Sequence, residues 1–418
     1  VGRTQGSRKT IVIVATLDTR GDEVEYLKKI FGEKGHETIT IDTGVMGTPY
    51  FAGDYMREDV AKSGGKSLKE LVGAADAGAD RKAATDVMIA GAKVIVNKLH
   101  AEGKLHGIMS LGGTTGASSG VAVMQGLPIG LPKFIITTFT ALTPIGDEDI
   151  TVMQSPVDLV GLNKIIMKTL SNAAGALMGM VEQETQEKES RKLAGITALG
   201  VTTPAVQKTM ALLDKRGYDS LVFHALTAKL DRMVKDGIID AVIDITSFEL
   251  IPKTCYSDDL LAKYSGMPNP DRSRLRSAVE RGIPQIIAPG GLDMHIIPGA
   301  TKIDEVPDML KGRAWTMHGP NVVLVRTSAE ELEKAASSIA EQANSSRGPV
   351  AVLIPINGFS DASKKDAPLF DPESDSAFVR AVRKQVSSKV RLREIDCHIN
   401  DDAFADELVK LFDEMMKK

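Results

Sequence analysis

At 418 residues, with 43% hydrophobic and 25% charged side chains, the chain has a globular composition and is too long for one ordinary core; roughly two or three domains are expected. A formal net charge of −4 gives no basic face for nucleic acid, and no apolar run approaches the length of a membrane span. Two cysteines, Cys255 and Cys397, exclude a disulfide framework and a cysteine zinc site, and fit a reducing, cytoplasmic compartment.

Residues 1–9 carry no apolar signal core and read as an N-terminal arm. Residues 9–15 are apolar and β-branched, as in a buried parallel strand. A turn at Thr16-Leu17-Asp18-Thr19 leads to a helix over 22–31, where Val24, Leu27 and Phe31 share a face. Gly35 stops it, and 37–41 return as a strand ending at Asp42. Residues 47–80 hold few large apolar side chains and read as a long irregular excursion. A helix over 81–99 and a strand over 107–110 follow, and the strand runs into Leu111-Gly112-Gly113-Thr114-Thr115-Gly116. Residues 133–138 form the next strand, 150–153 a short one and 163–181 a long helix rich in Ala and Gly.

Residues 182–192 are polar and charged without apolar period, as in a linker, and divide the chain into 1–183 and 192–418. A strand over 193–201, a helix start at Thr202-Thr203-Pro204, a helix over 205–215, a stop at Gly217 and a strand over 220–224 then repeat the pattern of 9–44. Further strands are expected at 241–245, 285–288, 322–326, 350–354 and 390–396. Ser328 with Glu331 is a capping box, and Asn400 or Asp401 caps the last helix. The expected fold class is α/β: two Rossmann-like subdomains, each a mostly parallel sheet with helices on both faces. The strand 9–15 belongs either to the first sheet or to the second.

Ligands of open α/β sheets lie at the carboxyl ends of strands, so the residues there are the candidates. Foremost is the glycine loop. Gly112, Gly113 and Gly116 free the backbone, while Thr114, Thr115, Ser118 and Ser119 add hydroxyls. A helix beginning there aims free N–H groups and a positive dipole end at one spot, which suits a phosphate or a carboxylate. The spacing is neither GxxxxGK[ST] nor GxGxxG, so it does not name the ligand, and a plain strand–helix turn is the alternative. Thr16, Asp18, Thr19, Asp42, Thr137 and Thr138 also stand at strand ends. Asp42 is placed to hold a ribose hydroxyl, or simply to make a turn, and Asp18 and Thr19 serve equally as helix caps. In the second half, Asp244, Glu249, Asp293, His295, His318 and His398 suggest an acid/base or metal cluster, without any HExxH or HxxxH spacing. No metal ligand set is assigned. No Gly-x-Ser-x-Gly elbow is present, which disfavours a hydrolase of that type.

Ten stretches carry a family resemblance. They are Ala15-Thr-Leu-Asp-Thr19, Leu111-Gly-Gly-Thr-Thr-Gly116, Leu131-Pro-Lys-Phe-Ile-Ile-Thr-Thr138, Asp158-Leu-Val-Gly-Leu-Asn163 and Leu170-Ser-Asn-Ala-Ala-Gly175. They continue with Gly200-Val-Thr-Thr-Pro204, Val222-Phe-His-Ala225, Ala288-Pro-Gly-Gly-Leu-Asp293, Phe370-Asp-Pro-Glu373 and Cys397-His-Ile-Asn400. In this order, over nearly the whole chain, they resemble the ATP-binding module family of the tomato mosaic virus resistance protein, an inhibitor of tobamovirus RNA replication, with its uncharacterised bacterial homologues. The resemblance implies two Rossmann-like subdomains, ATP binding and a homodimer, but no settled reaction. In plants the module is fused to a barrel resembling a phosphoenolpyruvate-hydrolase-like domain, which here would be a separate partner. Where the family usually has Thr-Gly-x-Gly-Gly after Phe-His-Ala, this chain reads Ala225-Leu226-Thr227-Ala228-Lys229-Leu230 and is a few residues shorter. No role is therefore carried over to the region of His224, and the virus-binding activity is not carried over at all.

The expectation is an ATP-binding protein. Backbone N–H groups of Gly112, Gly113, Thr114, Thr115 and Gly116 would cradle the phosphates, and Thr16, Asp18, Thr19, Asp42, Thr137 and Thr138 would complete the pocket. Magnesium would accompany the nucleotide and neutralise phosphate charge. A reaction, if there is one, would be phosphoryl transfer or carboxylate activation in the cleft between the subdomains. Thr203, His224, Glu249, Asp293 and His398 would be its acting groups. The alternative is a nucleotide-dependent regulatory or interaction protein without turnover; a third is an enzyme that grips a small carboxylate in the glycine loop.

Overall fold

The structure is a computed structural model and describes residues 8–76, 81–140, 143, 145, 148–183, 191–264 and 274–416. Residues 184–190 of the expected linker lie outside them. The chain divides into two compact units, Val1–Gln186 and Glu187–Lys418. Each is a parallel sheet flanked by helices, so the protein has two Rossmann-like subdomains. No helix among the described residues is long and apolar enough to cross a membrane.

The first unit runs β1 (Thr10–Ala15), α1 (Leu17–Glu33), β2 (Glu37–Asp42), α2 (Arg57–Ser63), α3 (Leu68–Asp76), α4 (Arg81–Ala101), β3 (Gly107–Gly112), α5 (Thr114–Met124), β4 (Lys133–Thr137), β5 (Thr151–Gln154) and α6 (Lys164–Glu182). Its sheet has the order β2-β1-β3-β4-β5, all parallel. The strand read as belonging to either sheet is thus inside the first. Val12 and Val14 pack with the α4 and α5 side chains, and Ile11 and Ile13 with those of α1 and α6. Burial of both faces is what a continuous β-branched run supplies. Helix α6 begins where Asn163 accepts hydrogen bonds from Ile165 N and Ile166 N at 3.0 and 3.1 Å.

Helix α1 opens with a turn at Leu17 and kinks at Arg20, and its longer part begins beside the expected residue 22. One expectation needs correction here: the excursion 47–80 contains α2 and α3, of which α3 buries Leu71 and α2 packs closely on α4. Val60 and Ala61 of α2 are fully buried against α4, and at Gly91 of α4 a Cβ would stand 1.8 Å from Val60 O. A helix pair in such close contact has no need of the bulky periodic side chains that mark helices in a sequence. Gly91→Ala should therefore force α2 and α4 apart and destabilise the first unit by about 3 kcal/mol, read as a lower urea midpoint.

The second unit runs β6 (Leu193–Ala198), α7 (Thr203–Asp214), β7 (Asp219–His224), α8 (Ala228–Lys235), β8 (Ala241–Asp244), α9 (Leu250–Cys255), α10 (Asp258–Tyr264), α11 (Arg276–Arg281) and β9 (Gln285–Ile287). It continues with β10 (Met294–Pro298), β11 (Trp315–Met317), β12 (Val322–Arg326), α12 (Ala329–Ser345), β13 (Val350–Pro355), α13 (Pro372–Gln385), β14 (Arg391–Ile395) and α14 (Asp402–Met416). The main sheet is parallel, in the order β14-β13-β9-β8-β6-β7. The strand at 322–326, expected in it, instead forms a separate antiparallel sheet, β10-β12-β11, in register Met294↔Arg326 and Trp315↔Val325. Its two faces enter two different clusters, Val323 and Val325 one and Leu324 the other, so its sequence looks like a parallel strand.

Both parallel sheets are built outward from an early strand in two directions. The chain goes from β1 to β2, then returns to β3 on the other side of β1; β6, β7 and β8 do the same. Each unit so has a switch point, a crevice outside the carboxyl ends of β1 and β3 or of β6 and β8.

Candidate functional site

At the first switch point two helices begin. Thr16 is the N-cap of α1 and Gly113 that of α5, and neither makes a side-chain capping bond. Gly113 is extended, with φ −72° and ψ −165°. The first backbone bond of α5 runs from Ala117 N to Gly113 O at 2.9 Å, which leaves the N–H groups of Thr114, Thr115 and Gly116 without an intrahelical partner. A cavity of about 490 Å³ opens at this point, within the range of small-molecule sites. Val14, Ala15, Thr16, Thr19 and Arg20 line one side of it, Thr43 lies past β2, and α4 contributes Thr85, Met88 and Ile89. The other side is the run from Ser110 to Gly116, with Ser119 and Gly120. Hydroxyls predominate, there is one guanidinium, and no carboxylate is among the described lining residues.

The glycines differ in what they do. A Cβ on Gly112 would lie 3.0 Å from Gly116 Cα, and one on Gly120 would lie 2.5 Å from Ser110 Oγ, so these two permit strand and helix to close up. A Cβ on Gly113 meets only Thr138 Oγ1 at 3.8 Å, so this position is open. Ser110 is 2% exposed, lines the cavity, and its hydroxyl bonds to no other described residue. The hydroxyl is thus open to the cavity, where water or a polar occupant can bond to it.

Of the first-unit candidates named from the sequence, the cavity brings together Thr16, Thr19, Gly112, Gly113, Thr114, Thr115, Gly116 and Ser119. Asp18, Asp42, Ser118, Thr137 and Thr138 lie outside its lining. Asp42 is buried, and its Oδ1 accepts from Gly44 N at 2.8 Å and Leu17 N at 3.1 Å. Burial raises its pKa against those two bonds. Asp18 Oδ2 accepts from Gly47 N at 2.9 Å. Both acids thus tie the segment after β2 to the first turn of α1. Thr137 is buried and accepts from Phe139 N at 3.3 Å, and Thr138 stands half-buried beside Gly113. Arg20, Thr43, Thr85, Met88, Ile89 and Ser110 were not singled out as ligand groups. Thr85, Met88 and Ile89 do share a face by helical spacing, but only the topology assigns that face to this strand end.

The second switch point is filled by the protein's own groups. Asp244, fully buried, accepts from Thr197 Oγ1 at 2.7 Å, Ser247 Oγ at 3.0 Å and both terminal nitrogens of Arg274, one of them at 2.5 Å. Glu249 accepts from Thr227 Oγ1 at 2.6 Å, pairs with Lys253 Nζ at 2.8 Å and lies 3.4 Å from Arg274 Nε.

Two further networks stand apart from this one in their bonding. In one, Ser360 Oγ donates to Asp293 Oδ2 at 2.5 Å, His398 Nε2 lies 3.0 Å from Ser360 O, and Arg326 donates to Asp293 O at 3.2 Å and Asp375 Oδ1 at 2.6 Å. In the other, His295 stands 3.0 Å from both the Tyr256 hydroxyl and Glu331 Oε2. Burial pushes the Tyr256 pKa up and that of His295 down; Glu331, though burial opposes its charge, is held below the carboxylate range by His295 and Arg313. His224, His318 and Thr203 are exposed. Hydrogen bonding thus divides the acid and base candidates among separate networks, and among the described residues no three His, Cys, Asp or Glu side chains are placed to hold a metal ion. After His224 a three-residue turn, 225–227, leads into α8 with no glycine loop.

Asp375 is the acid of these networks that burial raises most clearly. Burial pushes it up to about 7, with Asp293 and Asp371 adding and Arg326 opposing. Because its folded pKa lies above the ordinary carboxylate value of 3.8, its protonated form is the one that folding favours. Its contribution is complete below about pH 4 and is lost as pH rises to about 7. The stability difference between Asp375→Asn and wild type should accordingly change across that window and level off above it, measured as urea unfolding at stepped pH.

Comparison with known proteins places the chain. Residues 9–186 match the N-terminal domain and residues 191–416 the C-terminal domain of an uncharacterised protein family, UPF0261. A UPF0261 protein of Clostridium tetani is 35% identical over 418 residues, covering 98% of this chain and 100% of that protein. The ToMV susceptible protein tm-1(GCR26) of Solanum lycopersicum is 32% identical over 354 residues, covering 81% of this chain and 45% of that protein. Among solved structures, a thioesterase domain from the curacin biosynthetic pathway has a TM-score of only 0.24 at 13% identity, covering 55% of this chain and 91% of that one. Over both of its units, the chain belongs to the UPF0261 family.

Proposed function

We propose that the first unit binds ATP at its switch point, with the phosphates on the N-terminus of α5. The observation that carries this reading is the open helix end. Gly113 offers no cap, three N–H groups have no acceptor among the described residues, and the cavity in front of them holds hydroxyls and no described carboxylate. The unpartnered Ser110 hydroxyl fits the same occupant. The choice of ATP among anions rests on the family resemblance. Magnesium would enter with the nucleotide, held by phosphate oxygens and water rather than by a protein cage.

A second reading concerns what the nucleotide does. The second switch point is closed by the Asp244–Arg274–Glu249 ion pairs, and the acid and base candidates fall into separate networks. That favours a nucleotide-dependent regulatory protein, working as a homodimer, over an enzyme that turns ATP over. Titration calorimetry with ATP and magnesium, followed by an assay for ADP release and by sizing with and without nucleotide, tests both. Saturable binding with no ADP and a nucleotide-dependent size is the expected result; absence of binding overturns the reading, and steady ADP release overturns its regulatory form.

A further inference from the structure

We propose that Arg20 reads a second anionic centre of the ligand, so that the cavity selects di- and triphosphates over a single phosphate. The inference rests on the ATP reading of this cavity and adds a residue and a selectivity to it.

Arg20 lines the cavity and is half-buried. Among the described residues its side chain bonds only to the neighbouring carbonyl, from Nη1 to Thr19 O at 2.9 Å, and no carboxylate stands within ion-pair distance of it. The guanidinium is accessible and has no counter-charge, and its planar fork matches two phosphate oxygens. Of the nearby acids, Asp42 accepts from Leu17 N and Gly44 N and Asp18 Oδ2 from Gly47 N, while Asp18 Oδ1 is buried with no partner among the described residues.

Arg20 sits at a kink in α1, at φ −129° and ψ 16°, which separates the first turn from the rest of the helix. That first turn and its N-cap carry the Thr16 and Thr19 hydroxyls, 2.7 Å apart, both in the cavity lining. The kinked turn with Arg20 and the start of α5, a helix of 11 residues, therefore meet one cavity. One anionic centre occupies the α5 end; a second, joined to it, is required to engage Arg20. The Ser110 side chain, 2% exposed and held by no described residue, also lines the cavity and is available to a polar ligand.

The test is calorimetric titration of the full chain with ATP, ADP and AMP at one ionic strength, for wild type, Arg20→Gln and Arg20→Lys, with thermal melts as a folding control. Arg20→Gln should weaken ATP and ADP by roughly 10- to 100-fold and AMP by much less, and Arg20→Lys should recover part of the loss. Equal weakening of all three nucleotides, or of none, overturns the role of Arg20 while leaving ATP binding in place. If wild type binds none of the three, the ATP reading itself fails, and this inference with it.

Discussion

Gly113→Asp should leave the first unit as stable as wild type and remove ATP binding. The position is an N-cap with an extended backbone open to any residue, and its new Cβ would meet only Thr138 Oγ1 at 3.8 Å. Aspartate is among the best N-cap residues and glycine only a few tenths of a kcal/mol behind, so folding gains slightly or is unchanged. The carboxylate would accept from Thr115 N or Gly116 N, the donors assigned to the phosphates, and its charge would repel them. Affinity should fall at least about 100-fold, since both the charge-assisted bonds and the dipole contribution are lost. Thermal melting and calorimetry on the same sample check the two halves of this result. Gly112→Ala makes the contrast: its Cβ at 3.0 Å from Gly116 Cα should disturb packing first and binding only as a consequence.

Arg274→Ala should destabilise the second unit by about 3–5 kcal/mol, the usual cost of removing one partner from a buried ion pair. Asp244 is fully buried and Glu249 is 4% exposed, so water cannot replace the guanidinium. The single tryptophan of the chain, Trp315, lies in the second unit, so its fluorescence reports the unfolding of that unit. An undiminished midpoint would mean that Asp244 and Glu249 are neutralised by other groups.

How much of this was legible in the residues depended on whether the information was local. The run ending in Leu111-Gly112-Gly113-Thr114 marks strand, turn and helix start by its own chemistry, and β3 and α5 meet there. The antiparallel β10-β12-β11 sheet was not legible, because a strand buried on both faces carries no sign of its partner's direction. Asp42 shows another limit. A carboxylate at a strand end suits a ribose hydroxyl and a backbone N–H equally, and only the fold brings Leu17 N and Gly44 N to it. Arg20 draws no notice in the sequence because the helix is expected to begin after it, and only the fold brings it to one cavity with residues of β3 and α5. In the second unit the strand ends did mark polar residues, but Asp244 and Glu249 are spent on Arg274, and His224 closes an edge strand.

Hydrogen–deuterium exchange of the full chain with and without ATP and magnesium tests the central claim most directly. The first-turn amides of α5, Thr114 to Gly116, have no acceptor among the described residues and should exchange quickly alone. Saturating ATP should slow the peptides that span 110–120 and the first turn of α1, with little change around Asp244. Protection confined to the second unit, or binding of ATP with no protection at 110–120, would contradict the assignment of the phosphate site to the glycine loop.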